Sequence, residues 1–206
     1  MIFLILKHYF YITSMPPKHI ALAILFFAFT AHSGDNTLTY GGKTYKTVKI
    51  GEQVWFAENL NYEAEGSRCN DDNPDNCAKY GRLYDWETAK KVCPKGWHLP
   101  SNAEWEKLFR FVDGDTGTKS PYDSKTAGKY LKAKSGWKKG GNGTDKYGFA
   151  ALPGADCLIC VSHVTWWTAS ARDSSFIYSR FMSYSDIADW SIYDNSFMSY
   201  VRCIQD

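Results

Sequence analysis

Six cysteines, Cys69, Cys77, Cys93, Cys157, Cys160 and Cys203, constrain this chain more than any other feature, because the residues ahead of them read as an export signal. Residues 15–33, MPPKHIALAILFFAFTAHS, carry a short basic stretch (Lys18, His19), an apolar run from Ile20 to Ala31 and small residues at Ala31 and Ser33. That is the layout of a secretory signal cleaved after Ser33. The run is too short for a bilayer, which takes about 20 residues, and Pro16, Pro17 and Lys18 separate it from the apolar MIFLIL start. Met15 begins a complete signal by itself, so residues 1–33 read as leader and residues 34–206 as one mature domain, secreted or held at the cell surface, with no membrane span after cleavage. No Cys precedes Cys69, which excludes a lipid-modified Cys at the cleavage point. Export makes oxidation the default, so the even set predicts three disulfides. Fifteen pairings are open to six cysteines.

With 206 residues, 44% of them apolar and 17% aromatic, the chain can fill the core of one domain. Its 24 basic and 22 acidic residues become 22 against 22 once Lys7 and Lys18 leave with the leader. A neutral chain lacks the basic stripe that captures nucleic acid, and that class of partner is excluded.

Strand-like runs open the mature chain. LTY and KTYKTVKIG flank Gly41-Gly42, which reads as a tight hairpin, and QVWFAENL follows. Residues 61–79 are polar and read as a loop in which Cys69 and Cys77 are close enough to close a small ring. In YDWETAKKVC the spacing of Trp86, Ala89 and Cys93 predicts a helix ended by Pro94 and Gly96. In SNAEWEKLFRFVDG, Ser101 and Glu104 form a capping box before the stripe Trp105, Leu108, Phe109, Val112, and Gly114 suits the stop. Trp86, Trp97, Trp105, Leu108 and Phe109 are the expected core. GWHLP joins the helices, residues 113–146 form a long exposed excursion with a helical turn at AGKYLKA, and short β-runs are expected at YGFAAL, VTWWTAS, SSFIYSRFMSY and SYVRCIQ.

The string YGRLYDWETAKKVCPKGWHLPSNAEWEKL, followed by YGFAALPG, WWTAS and VRC, resembles the Fibrobacter succinogenes major paralogous domain over residues 38–206. That family is similar in turn to C-type-lectin-like and formylglycine-generating-enzyme-like folds. The resemblance implies an α+β, disulfide-stabilised, C-type-lectin-like fold, with two helices packed on a small twisted antiparallel sheet with long loops. It also implies that Cys93 pairs with Cys203 and Cys69 with Cys77, leaving Cys157 and Cys160 to each other. Before Val-Arg-Cys the family tends to read Gly-Phe-Ser, where this chain has Met198, Ser199 and Tyr200.

Candidate chemistry is sparse. The loop DDNPDN supplies Asp71, Asn73 and Asp75 at alternate positions but lacks the Gly and the bidentate Glu of an EF-hand loop, so it reads as a solvated loop rather than a calcium site. No cofactor is expected. Cys157 and Cys160, with His163 three residues on, read as a structural disulfide; the alternative is a formylglycine-generating-enzyme-like thiol oxidase or a metal site. Phosphate-loop, G-x-S-x-G and HExxH patterns are absent, so an enzyme is the lesser reading. Glu104 and Glu106 read as solvated charges, and His98 as a structural hydrogen-bonding residue. The strongest functional signal is residues 162–200, with ten Ser and ten aromatics and no Lys. Rigid amphipathic rings with small polar residues are the chemistry of binding loops. Trp167, Tyr178, Arg180, Tyr184, Trp190 and Tyr193 are therefore expected to form a binding patch for a glycan or a cell-surface protein. Of the adjacent Trp166 and Trp167, one should point inward and one outward.

Overall fold

A computed structural model describes residues 36–114, 124–138, 140–154 and 163–206. The leader, Cys157 and Cys160 lie outside these residues. Two sheets carry the domain. The first is ordered β1 (Thr37–Tyr40), β2 (Lys43–Ile50), β3 (Gln53–Phe56), β11 (Ile204–Gln205), β6 (Trp97–His98). The second is ordered β4 (Ser67–Arg68), β5 (Leu83–Tyr84), β10 (Ser199–Tyr200), β7 (His163–Ala171), β8 (Phe176–Ser183), β9 (Ala188–Asp194). Four short helices, α1 (Pro74–Tyr80), α2 (Trp86–Ala89), α3 (Asn102–Val112) and α4 (Ala127–Leu131), and a 3₁₀ turn at Asn70–Asp72 complete the described elements. Among the described residues no helix is long and apolar enough to cross a membrane.

This architecture corrects the expected two helices on a small lectin-like sheet: the described residues are mostly β, with eleven strands in two sheets. Two physical causes account for the difference. The helix expected through Cys93 stops at Ala89, where Lys90 N–H donates to Trp86 O and Lys91 N–H to Thr88 O, tightening the last turn. Pro94 then biases Cys93 away from helical backbone. In the other half, the Ser- and aromatic-rich run folds into a long antiparallel meander of β7, β8 and β9 that dominates the second sheet.

Other local readings fare better. Gly41 and Gly42 sit at φ 56° and 78° in a two-residue turn that few other residues tolerate. A Cβ at Gly41 would also collide with the Tyr62 ring. α3 carries the capping box at Ser101 and Glu104 and buries Trp105, Leu108, Phe109 and Val112. Trp86 and Trp97 are only half-buried. α1 replaces part of the expected loop: the Asn73 side chain accepts from Asp75 N–H at 3.0 Å and Pro74 occupies the first helical turn. YGFAAL makes only an isolated bridge, Ala151 to Lys132, while β9 was not among the expected runs.

Cys93 bonds to Cys203 and Cys69 to Cys77, with Cα separations of 5.9 and 5.0 Å. The first closes 110 residues of chain, which in the chain-entropy model is worth about 4–5 kcal/mol. The interior divides into two clusters. One gathers Trp55, Trp105, Phe149 and Trp166 against α3; the other gathers Tyr45, Phe56, Tyr84, Trp167 and Cys203. Arg202 is fully buried beside the first. Its Nε and Nη2 donate to Asn59 Oδ1 at 3.1 and 2.9 Å, its Nη1 donates to Phe149 O at 2.6 Å, and the Phe149 ring lies 4.4 Å from the guanidinium. Burial pushes the Arg202 pKa down to about 9. Ser199 and Tyr200, where the family pattern differs, are both buried in β10, and the Ser199 hydroxyl donates to Thr165 Oγ1 at 3.0 Å.

Candidate functional site

The second sheet ends at β9, which pairs with β8 along its length and on its outer side makes a single bridge, Ala188 to Ser124. In the β8–β9 register Phe176 lies opposite Asp194, Tyr178 opposite Ile192, Arg180 opposite Trp190 and Met182 opposite Ala188. Alternation along a strand puts these eight residues on one face, and Ile177, Ser179, Phe181, Asp189, Ser191 and Tyr193 on the other.

The first face is covered at Met182 and Ala188, which join the cluster packed on α3, and at Arg180. Arg180 is buried there: its Nη2 donates to Asn102 O at 3.3 Å and stands 3.6 Å from Glu106 Oε1, with the guanidinium 5.8 Å from the Phe109 ring. Glu106, expected as a solvated charge, is thus an ion-pair partner. Toward Met182 and Ala188 the face is buried in the first cluster, and toward Phe176 it is partly exposed. Trp190 is 38% exposed and Phe176 42%, while Tyr178 is half-buried with its ring 5.8 Å from that of Trp190 at 64°. The hairpin is held at its turn by Lys132, whose ammonium donates to Ser183 O at 3.0 Å and Ser185 O at 2.6 Å. Burial lowers the Lys132 pKa.

The six expected patch residues therefore divide. Tyr178 and Trp190 come together, with Arg180 buried beside them. Trp167 is buried, and so is Trp166, because the second sheet is covered on both faces at β7. Trp166 Nε1 donates to Asn59 Oδ1 and Trp167 Nε1 to Tyr84 O, each at 2.8 Å. Tyr193 lies on the opposite face, stacked on Phe197 at 3.9 Å over Trp167. Tyr184, 51% exposed, stands in the β8–β9 turn. Phe176 was missed, although it precedes Tyr178 by the two residues that put both on one face.

His98 bridges β6 to the start of α3, with Nε2 2.7 Å from Glu104 Oε1 and Nδ1 2.7 Å from Asp206 Oδ1. Burial lowers its pKa, but the two carboxylate hydrogen bonds outweigh that and the net shift is upward. In the acidic loop, Asn73 is engaged as the α1 cap and Asp71 Oδ2 accepts from Asn70. Among the described residues no group of three His, Cys, Asp or Glu could hold a metal ion. The thiol-oxidase and metal readings of Cys157 and Cys160 fall outside the described residues.

A comparison with protein-family models matches residues 48–205 to the Fibrobacter succinogenes major domain. No curated protein and no solved structure gives a match.

Proposed function

We propose that this chain, which belongs to the Fibrobacter succinogenes major domain family, is an exported binding module that takes a carbohydrate on the partly exposed rings of β8 and β9. The observation that carries this reading is the Tyr178–Trp190 pair: two rings 5.8 Å apart on an edge hairpin, one of them more than a third exposed. Phe176 extends the same apolar strip, and Asp194 opposite it is exposed, with its Oδ1 accepting from Ser196. Tyr and Trp offer an apolar ring for the faces of a sugar and a polar tip for its hydroxyls, at little cost in side-chain entropy. The buried Arg180 and Lys132 hold the hairpin before a ligand arrives, which lowers the cost of binding. The leader supports export, and the two disulfides fit an oxidising compartment.

A glycan array probed with the purified protein tests the reading. Binding should fall by about tenfold or more in Trp190→Ala and Tyr178→Ala, the scale of a lost aromatic anchor, while both variants keep the parent melting temperature. Binding that survives both substitutions overturns it. Capture of surface proteins without any glycan also overturns it, in favour of a protein ligand.

A further inference from the structure

The end of α3 and described residues in and next to the excursion expected over 113–146 line a groove of about 400 Å³, with Phe111, Asp113, Lys125, Tyr130, Lys146 and Tyr147 among its lining. It shares no residue with the β8–β9 face. We propose that this groove is a second binding site, selective for a saccharide that carries carboxylates.

The argument begins with Lys146. Its ammonium lies 5.2 Å from the ring centroids of both Tyr130 and Tyr147, and the Lys129 ammonium lies 6.0 Å from Tyr130. Phe111, 48% exposed, meets Tyr147 edge-on at 5.8 Å. The cluster thus alternates ring surface with positive charge. Lys125, Lys129 and Lys146 are all exposed, and among the described residues none of them forms an ion pair. The one carboxylate in the lining, Asp113, has Oδ1 engaged by the hydroxyls of Ser124 and Thr126. Lys125 and Lys146 thus outnumber Asp113 among the described charges of the lining.

The backbone holds these groups in place. Thr144 N–H donates to Lys129 O at 2.8 Å, Lys146 N–H to Tyr130 O at 2.9 Å and Asp145 N–H to Lys132 O at 3.1 Å, fastening the segment to α4. A preorganised site loses less entropy on binding. The groove volume falls within the range of small-molecule sites, about 300–1,000 Å³, which favours a short oligosaccharide over a protein surface. Ring faces suit the carbon-bearing faces of sugars, and ammonium groups form charge-assisted hydrogen bonds with carboxylates. A free inorganic anion would use the lysines and leave the rings idle.

Calorimetric titration of the intact purified protein with tetragalacturonate tests the site, the fully methyl-esterified tetramer serving as the neutral counterpart. The acid form should bind about tenfold more tightly than the ester. Raising sodium chloride from about 50 to about 500 mM should weaken it about fivefold, as screening shortens the reach of the lysines. Lys146→Gln and Lys129→Gln should each weaken it about threefold to fivefold, the scale of an exposed ion pair, whereas Lys146→Arg and Trp190→Ala should leave it within about twofold. Equal affinity for acid and ester, no measurable binding, or competition by inorganic phosphate at equal concentration overturns the proposal. Loss in Trp190→Ala with Lys146→Gln unchanged also overturns it and assigns the tetramer to the β8–β9 face.

Discussion

Strand β7, HVTWWTASA, and strand β9, ADWSIYD, both mix Trp, Ser and Ala in one sheet, yet they meet different surroundings. β7 has β10 and β8 as neighbours and a cluster of buried rings on each face, so Trp166 and Trp167 are both buried although they point in opposite directions. β9 has one strand neighbour and is buried only at its Ala188 end, so Trp190 stands partly in solvent. Composition is the same signal in both places. What separates packing from display is the number of covered sides, and that is a property of topology.

The contrast makes predictions that can break it. Trp166→Ala removes a ring packed 5.4 Å from Trp105 and 6.2 Å from Phe149, and should cost about 3–5 kcal/mol in guanidinium unfolding. A loss under about 1 kcal/mol would mean that β7 is no more interior than β9. Asn59→Ala strips the acceptor shared by Trp166 and Arg202 and should cost roughly 3 kcal/mol, read as a lower denaturant midpoint with unchanged slope.

His98 sharpens the comparison at the edge strand of the other sheet, where charge does the fastening. Because its folded pKa is raised, its contribution is fully present below the ordinary value near 6.5 and is lost as pH rises through the folded value. His98→Gln should therefore cost about 0.5–1 kcal/mol near pH 5.5, limited by solvent screening, and close to nothing near pH 9. An equal loss at both pH values would assign the effect to packing. The smallest effect belongs to Trp190→Ala, expected within about 0.5 kcal/mol of the parent by thermal melting.

How much of this was legible varied with how local the cause is. The Gly-Gly hairpin, the α3 cap and stripe, and the β7 and β8 runs follow from neighbouring residues, and they stand where the pattern puts them. The Cys93–Cys203 bond was carried by the family resemblance, since spacing alone leaves fifteen pairings. The helix that starts at Asn73-Pro74 was missed, because the polar composition of residues 61–79 reads as a loop. What local patterns do not carry is which strand neighbours which. The burial of Trp167, the separation of Tyr193 from Tyr178 and the meeting of Tyr130, Lys146 and Tyr147 all depend on contacts between distant segments.

The positions of β10 and β11 have a consequence in time. Residues 199–205 supply an inner strand to each sheet: β10 sits between β5 and β7, and β11 between β3 and β6, with Ile204 opposite Trp55. A chain that has not yet emerged to residue 199 holds two incomplete sheets and a Cys93 whose partner, Cys203, has not arrived. Native closure therefore waits until residues 199–205 have emerged, and the distant pairings it needs are of the slow-forming kind. Until those last strands dock, the unfinished molecule is the form that chaperones and proteases meet.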